Sequence, residues 1–148
     1  PKGKGLWPAI WMLGANFKDV EYPNAGEIDI MEHVGKEADK IFGTVHYPWK
    51  NDIGYKSSSG NTNLENPSKS FHLYSVIWTP EKIDFLVDKK VYHSFKIEKA
   101  DPENNPFHKP FYLIINLAVG GNWPGEIAED IFPQKFLVDY VRIYKLKK

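Results

Sequence analysis

Helical periodicity is almost absent from this sequence, and no other feature constrains its fold as strongly. Short apolar and β-branched runs alternate with clusters of Gly, Pro, Asn and Ser, which is the pattern of many strands joined by turns. The predicted strands cover residues 6–13, 26–33, 41–46, 71–79, 82–87, 91–97, 111–119 and 134–146. We therefore expect an all-β fold.

The sequence also indicates how some of these strands are connected. Asp88, Lys89 and Lys90 separate two predicted strands, and so short a link predicts a tight hairpin. Residues 48–70 are rich in Asn, Ser and Gly and predict a long surface loop, a kind of segment that is often functional. Residues 111–115 are apolar on both faces, which predicts a central strand of a sandwich.

Length, charge and composition exclude several classes of protein. The 148 residues fit a single domain, which we place at residues 1–148. Nineteen basic residues balance nineteen acidic ones, so the charge gives no sign of a nucleic-acid or anionic-membrane partner. No apolar run is long enough to span a bilayer. The absence of cysteine excludes disulfides, thiol catalysis and cysteine-bound metals.

Three carboxylates fall within six residues of an otherwise apolar run. Glu27 and Asp29 share a face of a regular strand because side chains alternate between its two sides. Glu32 lies five positions from Glu27, so strict alternation would turn it to the opposite face. One extra residue at Ile30-Met31, a β-bulge, would bring all three carboxylates to one face.

Carboxylates gathered on one face would have a specific chemistry. Glu27 and Glu32 would then lie at about the 5–5.5 Å separation that retaining glycoside hydrolysis uses. Crowding of like charges raises at least one pKa, as a general acid requires near neutral pH. The alternative that the spacing leaves open is an exposed acidic strand with Ile28 and Ile30 facing inward. That alternative accounts poorly for Glu32, which would then face the core.

The residues from Glu27 to Glu32 resemble the E-x-D-x-x-E signature of glycoside hydrolase family 16. Five further segments resemble this family in the family's order, at residues 5–13, 43–46, 71–80, 116–125 and 138–144. The segments around Trp7 and Trp123 are most similar to its laminarinase (endo-1,3-β-glucanase) branch. The fold that the resemblance implies is a jelly-roll β-sandwich of the concanavalin A-like type, incomplete at its N-terminus.

The resemblance also implies a role for each carboxylate. Glu27 would be the nucleophile, Asp29 would assist it and Glu32 would be the acid/base. The implied activity is retaining hydrolysis of internal β-1,3 bonds in β-glucans by double displacement. Alternatives stay open: hydrolysis of another polysaccharide such as mixed-linkage glucan or agarose, transglycosylation, or a non-catalytic, lectin-like module that binds glucan.

Four residues are candidates for holding the sugar. Indole rings stack on the flat C–H faces of pyranoses, and Trp7 and Trp11 share a strand face by parity. Trp123 follows a Gly-Gly turn and would lie at the rim of the cleft. The resemblance places His46 beside the catalytic centre. Asn116 interrupts a buried run and must be hydrogen-bonded, either to backbone or to sugar.

Expectations about metals, partners and location come from the resemblance. Catalysis would need no cofactor, but many family members hold one structural calcium, and Asp139 matches one of its ligand positions. The expected partner is a β-glucan and the expected location is extracellular. Because the family's N-terminal strands have no counterpart here, we expect the sequence to be a piece of a longer protein. The alternatives are that a partner chain or self-association completes the sandwich. We assign Trp78 to the core or the outer sheet.

Overall fold

The computed structural model describes residues 1–49 and 55–145, and strands dominate this part of the chain. The strands are β1 (Leu6–Gly14), β2 (Glu27–Glu32), β3 (Lys40–Pro48), β4 (Tyr55–Asn63), β5 (Tyr74–Trp78), β6 (Lys82–Val87), β7 (Lys90–Lys96) and β8 (Phe111–Val119). Short 3-10 helices lie at Ile97–Lys99, Pro106–His108 and Glu129–Ile131. Among the described residues, no helix has the length and apolar character needed to cross a membrane. The predicted all-β class is confirmed.

The strands form two antiparallel sheets that pack face to face. The larger sheet has the strand order β4-β3-β2-β1-β8 and the smaller has the order β5-β6-β7. Between them lies a core of side chains with at most 1% of their surface exposed, which includes Ile28, Val45, Ile83, Phe85, Phe95 and Phe107. Burial of each such side chain contributes roughly 1.5–3 kcal/mol. The core therefore lies on one face of the larger sheet, its inner face, and the opposite, outer face is free to carry polar groups.

The hairpin between β6 and β7 has the predicted tight turn. Asp88 and Lys89 are its two loop residues, and their φ angles of 48° and 69° are the positive values that a primed hairpin turn requires. Asp88 also accepts a hydrogen bond from the backbone N–H of Leu73 at 2.9 Å and lies 2.8 Å from Nδ1 of His72. These contacts tie down the chain ahead of β5, which starts at Tyr74, later than predicted.

Residues 48–70 are not one long loop, so that prediction is wrong in part. β4 occupies Tyr55–Asn63 and pairs with β3 along its whole length. The sequence hides this strand because Ser, Asn, Gly and Lys, which make up most of it, are weak β-formers. Gly60 shows that packing decides the matter here, since a Cβ at this position would lie 2.5 Å from Cβ of His93 on β7. Only glycine allows β4 to approach β7 so closely.

β8 lies at the edge of its sheet in the described part of the chain, so the prediction of a central strand is wrong. It pairs with β1 along one side, and Ile115 and Val119 keep 39% and 42% of their surface exposed. An apolar run indicates that both faces of a strand suit burial, but it does not encode which segments lie beside that strand. Strand order depends on long-range pairing, which periodicity cannot supply.

The last predicted strand is not observed either, because residues 134–145 form no ladder. Residue 146, where the predicted strand ends, lies outside the described residues. Ile143 and Tyr144 are 89% and 81% exposed, whereas Phe136 packs on the small core cluster around Met31. Alternating apolar residues make a strand possible, but a strand forms only where a neighbouring edge accepts its backbone hydrogen bonds. No strand in the described residues pairs with this segment.

Candidate active site

The predicted irregularity is present in β2, at the centre of the larger sheet. From Asp29 to Glu32, β2 advances three residues, while its partner β3 advances only two, from Thr44 to Phe42. The pairing with β1 shifts register at the same level. The extra residue is a β-bulge, which reverses the alternation of side chains beyond it. Glu32 is therefore returned to the outer face, where Glu27 and Asp29 already lie.

Glu27, Asp29 and His46 form a compact group on this face. Nε2 of His46 lies 3.2 Å from Oδ2 of Asp29 and 3.8 Å from Oε1 of Glu27. The two carboxyl groups also share a side-chain hydrogen bond. One potential metal-ligating atom from each of Glu27, Asp29 and His46 lies within 4.8 Å of the other two. Among the described residues, this is the one group of three or more His, Asp or Glu side chains that could hold a metal ion.

Glu32 lies beside an aromatic wall. The indole N–H of Trp7 donates a hydrogen bond to Oε1 of Glu32 at 3.0 Å, and Glu32 is 8% exposed. The rings of Trp7 and Trp123 meet edge to face with centroids 5.2 Å apart. Phe42 continues the wall, with its centroid 5.1 Å from that of Trp123. This arrangement places one carboxyl group on the outer face of the sheet, beside a cluster of aromatic rings.

All three carboxyl groups hold their protons unusually tightly. Burial first, and then the nearby charge of Asp29, raise the pKa of Glu32 from its usual 4.5 to about 8. The same two causes raise the pKa of Glu27 to about 7, although His46 opposes them, and burial raises the pKa of Asp29 to about 7. Near neutral pH, Glu32 is the group that keeps its proton, as a general acid must. Glu27 is the more readily ionised of the two glutamates.

Trp11 and Asn116 extend the outer face toward β8. Trp11 lies opposite Asp29 in the pairing of β1 with β2, so both side chains share this face. The indole N–H of Trp11 donates a hydrogen bond of 2.8 Å to Oδ1 of Asn116. The sequence predicts either the backbone or a sugar as the hydrogen-bond partner of Asn116. The structure instead gives it the side chain of Trp11, itself a candidate sugar-binding residue.

The sequence profile of glycosyl hydrolases family 16 matches residues 1–142. The chain belongs to this family. It is 42% identical to a beta-glucanase of Rhodothermus marinus, over 98% of this chain and 54% of that protein. It is 36% identical to a keratan-sulfate endo-1,4-beta-galactosidase of Sphingobacterium multivorum, over 98% of this chain and 34% of that protein.

A solved family 16 structure has the same fold. The laminarinase from Rhodothermus marinus matches with a TM-score of 0.79 and 40% identity, over 90% of this chain and 57% of that one. The predicted jelly-roll β-sandwich is thereby confirmed. The chain spans about half the length of the beta-glucanase and of the laminarinase that it matches.

The structure brings together most of the residues that the sequence singles out, with one exception. Trp7, Trp11, His46 and Trp123 all lie beside the carboxylates or beside one another, as described above. Asp139 is exposed and belongs to no group of potential metal ligands in the described residues. Calcium takes six to eight oxygen ligands, so these residues alone do not build a calcium site there, and the structural calcium stays a prediction. Trp78 packs edge to face on Phe111 beside the core, as expected.

Sequence reasoning misses two parts of this face. Phe42 contacts Trp123, yet nothing in its local pattern marks it as a site residue. Parity along β3 could have found it, because residues 42, 44 and 46 face the same way and His46 is a recognised candidate. The outward side chains of β4 are missed because the strand itself is not predicted.

Proposed function

We propose that the protein is a retaining endo-β-1,3-glucanase that cleaves internal bonds of β-glucans. One observation carries the proposal: the bulge in β2 brings Glu27 and Glu32 to one face, where Glu32 keeps its proton more tightly than Glu27. Retaining hydrolysis needs such a pair, one carboxylic acid and one carboxylate. The similarity to a beta-glucanase and to a laminarinase supports β-glucan as the substrate.

In the first step, Glu32 donates its proton to the glycosidic oxygen while the carboxylate of Glu27 attacks the anomeric carbon. The bond between that carbon and the glycosidic oxygen breaks, and one part of the glucan leaves as an alcohol. The other part stays covalently attached to Glu27. Asp29 shares a hydrogen bond with Glu27 and so holds it in position for attack.

In the second step, Glu32 is a carboxylate and takes a proton from water. The water oxygen attacks the anomeric carbon and displaces Glu27, which restores both groups to their starting states. Two inversions at one carbon retain its configuration. Trp7 supports Glu32 in both roles, because its indole N–H bonds to the same carboxyl group that must first give and then take a proton.

The aromatic residues account for the choice of a neutral sugar chain. Trp7 and Trp123 form a wall beside Glu32, and Trp11 lies level with Asp29. Indole faces of this kind stack on pyranose rings without needing any charge on the sugar. This outer face therefore suits an uncharged glucan, whose rings would lie against indole while their linkage lies at the carboxylates.

The test measures release of reducing ends from laminarin, lichenan, agarose, carrageenan and keratan sulfate side by side. We expect laminarin to be the best substrate and the Glu27→Ser variant to lose turnover while it still binds laminarin. A non-catalytic glucan-binding module would show no turnover in the wild type and equal binding in both. A preference for keratan sulfate, which the similarity to the galactosidase makes worth testing, would overturn the choice of substrate.

Product analysis separates hydrolysis from transglycosylation, since only the latter yields oligosaccharides longer than the substrate. We also propose that the protein acts outside the cell, because a polymeric glucan is too large to be taken up intact. Fractionation of the source culture tests this, and activity confined to the cytoplasm would contradict it. Sedimentation of the protein with and without laminarin tests the predicted self-association.

A further inference from the structure

Three hydrogen-bonded side chains outside the group of carboxylates have an arrangement that the proposed mechanism does not use. Oγ of Ser70 lies 2.9 Å from Nε2 of His72, and Nδ1 of His72 lies 2.8 Å from Oδ2 of Asp88. A carboxylate only accepts hydrogen bonds, so neutral His72 carries its proton on Nδ1 and leaves Nε2 to accept from the hydroxyl of Ser70. A hydroxyl, an imidazole and a carboxylate in this order are the arrangement that activates serine as a nucleophile.

The turn between β6 and β7 holds the carboxylate of this group in place. The backbone N–H of Asp88 donates to the carbonyl of Leu73 at 2.9 Å, and the backbone N–H of Leu73 donates to Oδ1 of Asp88, also at 2.9 Å. The hydrogen bond from His72, and after it the one from Leu73, lower the pKa of Asp88 from its usual 3.8. Asp88 is therefore ionised at neutral pH and orients the imidazole, as the third member of such a group must.

A cavity lies directly beside these three side chains. Its volume is about 920 Å³, within the range of sites that bind small molecules. Ser70, His72 and Asp88 all line it, and Ser70 is exposed, so its hydroxyl is accessible to a ligand there. The lining also includes exposed apolar side chains, namely those of Phe71, Leu73, Leu137 and Val138. Such a lining suits the apolar acyl group of an ester, because burial of apolar surface is favourable.

We propose that Ser70, His72 and Asp88 form a second hydrolytic site, which cleaves esters of apolar carboxylic acids. Oγ of Ser70 attacks the carbonyl carbon while its proton passes to Nε2 of His72. The bond between that carbon and the alcohol oxygen then breaks, and His72 gives the proton to the leaving alcohol. Water, deprotonated by His72, attacks the acyl group on Ser70, the carboxylic acid leaves, and Ser70 regains its proton. This activity goes beyond the proposed glucanase function and does not rest on it.

The test measures release of p-nitrophenol from p-nitrophenyl butyrate by the wild type and by two variants. We expect Ser70→Ala to lose the enzymatic release and His72→Gln to be slower by about 10²- to 10⁴-fold, the usual contribution of a general base. Ser94→Ala is the matched control and should equal the wild type, because Oγ of Ser94 donates directly to the carboxylate of Asp84, at 2.6 Å. Release by Ser70→Ala at the rate of the wild type overturns the proposal.

Mass spectrometry of the acid-quenched reaction locates the acyl group. A butyryl group on Ser70 supports the proposal, whereas butyryl groups on lysine alone overturn it. His72 also ties down the chain ahead of β5, so the melting temperature of His72→Gln is measured as well. If that variant does not fold, Ser70→Ala decides the question, since it changes an exposed hydroxyl.

A series of acyl chains tests whether the cavity binds the acyl group. The wild type is assayed on p-nitrophenyl acetate, butyrate and hexanoate. We expect kcat/KM to rise about two- to fourfold for each methylene that the cavity buries. A kcat/KM that does not change with chain length overturns the assignment of the cavity to an apolar acyl group.

Discussion

Replacement of Glu32 by glutamine should stabilise the protein at neutral pH while it abolishes turnover. Glutamine has nearly the same shape and keeps an oxygen that can accept the hydrogen bond from Trp7, but it has no charge to desolvate. In the wild type, burial and the charge of Asp29 raise the pKa of Glu32 from 4.5 to about 8. The folded protein therefore binds this proton more tightly than the unfolded chain does.

The sign and size of the effect follow from this pKa. A raised carboxyl pKa gives stability that is fully present below pH 4.5 and is lost as the pH rises toward about 8. Each pH unit in that window costs about 1.4 kcal/mol, so roughly 3 kcal/mol has been lost by pH 7. Glu32→Gln should recover that amount at pH 7 and almost nothing at pH 4.5. For a protein of this size, the gain corresponds to a melting temperature higher by roughly 6–12 °C.

Urea unfolding of both proteins at pH 4.5, 5.5, 7 and 8 measures the difference directly. Glu21→Gln, at an exposed carboxyl group, is the control and should change stability little at any of these values. A difference between Glu32→Gln and the wild type that stays constant from pH 4.5 to pH 8 would refute the reasoning. Glu32 would then have an ordinary pKa, and its assignment as the general acid would lose its electrostatic basis.

Four further predictions concern the site and the core. The pH profile of kcat/KM should rise as Glu27 ionises near pH 7 and fall as Glu32 loses its proton near pH 8. The hydrogen bond from Trp7 lowers the pKa of Glu32, so Trp7→Phe should raise that pKa and move the falling limb to higher pH; an unmoved limb would contradict this. Asn116→Leu removes the acceptor of the Trp11 hydrogen bond and should raise KM several-fold, because the indole of Trp11 is then no longer held in place. Asn116→Asp keeps an acceptor oxygen, so its KM should stay close to that of the wild type. Equal KM values for the two variants would show that the bond does not position Trp11. Phe85→Ala should cost about 3–5 kcal/mol in urea unfolding, and a loss below 1 kcal/mol would mean that the core closes over the cavity.

The limits of sequence reasoning about the fold are visible in particular strands. β6 and β8 begin and end where the apolar runs predict, because local composition and local structure agree there. β4 has no such pattern, and only its pairing with β3 makes it a strand. The edge position of β8 and the missing ladder at residues 134–145 are likewise matters of which segments meet. Such long-range choices are not encoded in the periodicity of any one segment.

The features of the site likewise fall into those that the local sequence predicts and those that depend on the fold. The identity of the carboxylates is local and can be predicted, whereas the order of their pKa values depends on how deeply each is buried and on which charges lie beside it. The hydrogen bond between Trp11 and Asn116 joins two strands that are far apart in sequence, and no local pattern near either residue predicts it. Phe42 joins the aromatic wall for the same reason, through its place opposite Glu32 and beside Trp123.

The bulge is the one irregular feature that the sequence could predict, and the reason is a matter of parity. Two glutamates that act on one sugar must share a face, and on a regular strand this requires an even spacing. Glu27 and Glu32 are five residues apart, so a shared face and a regular strand are incompatible. A catalytic pair of glutamates at this spacing therefore needs one extra residue in the strand, and β2 has it between Asp29 and Glu32. Here a functional hypothesis predicted backbone geometry, whereas strand propensity alone would have predicted the opposite orientation of Glu32.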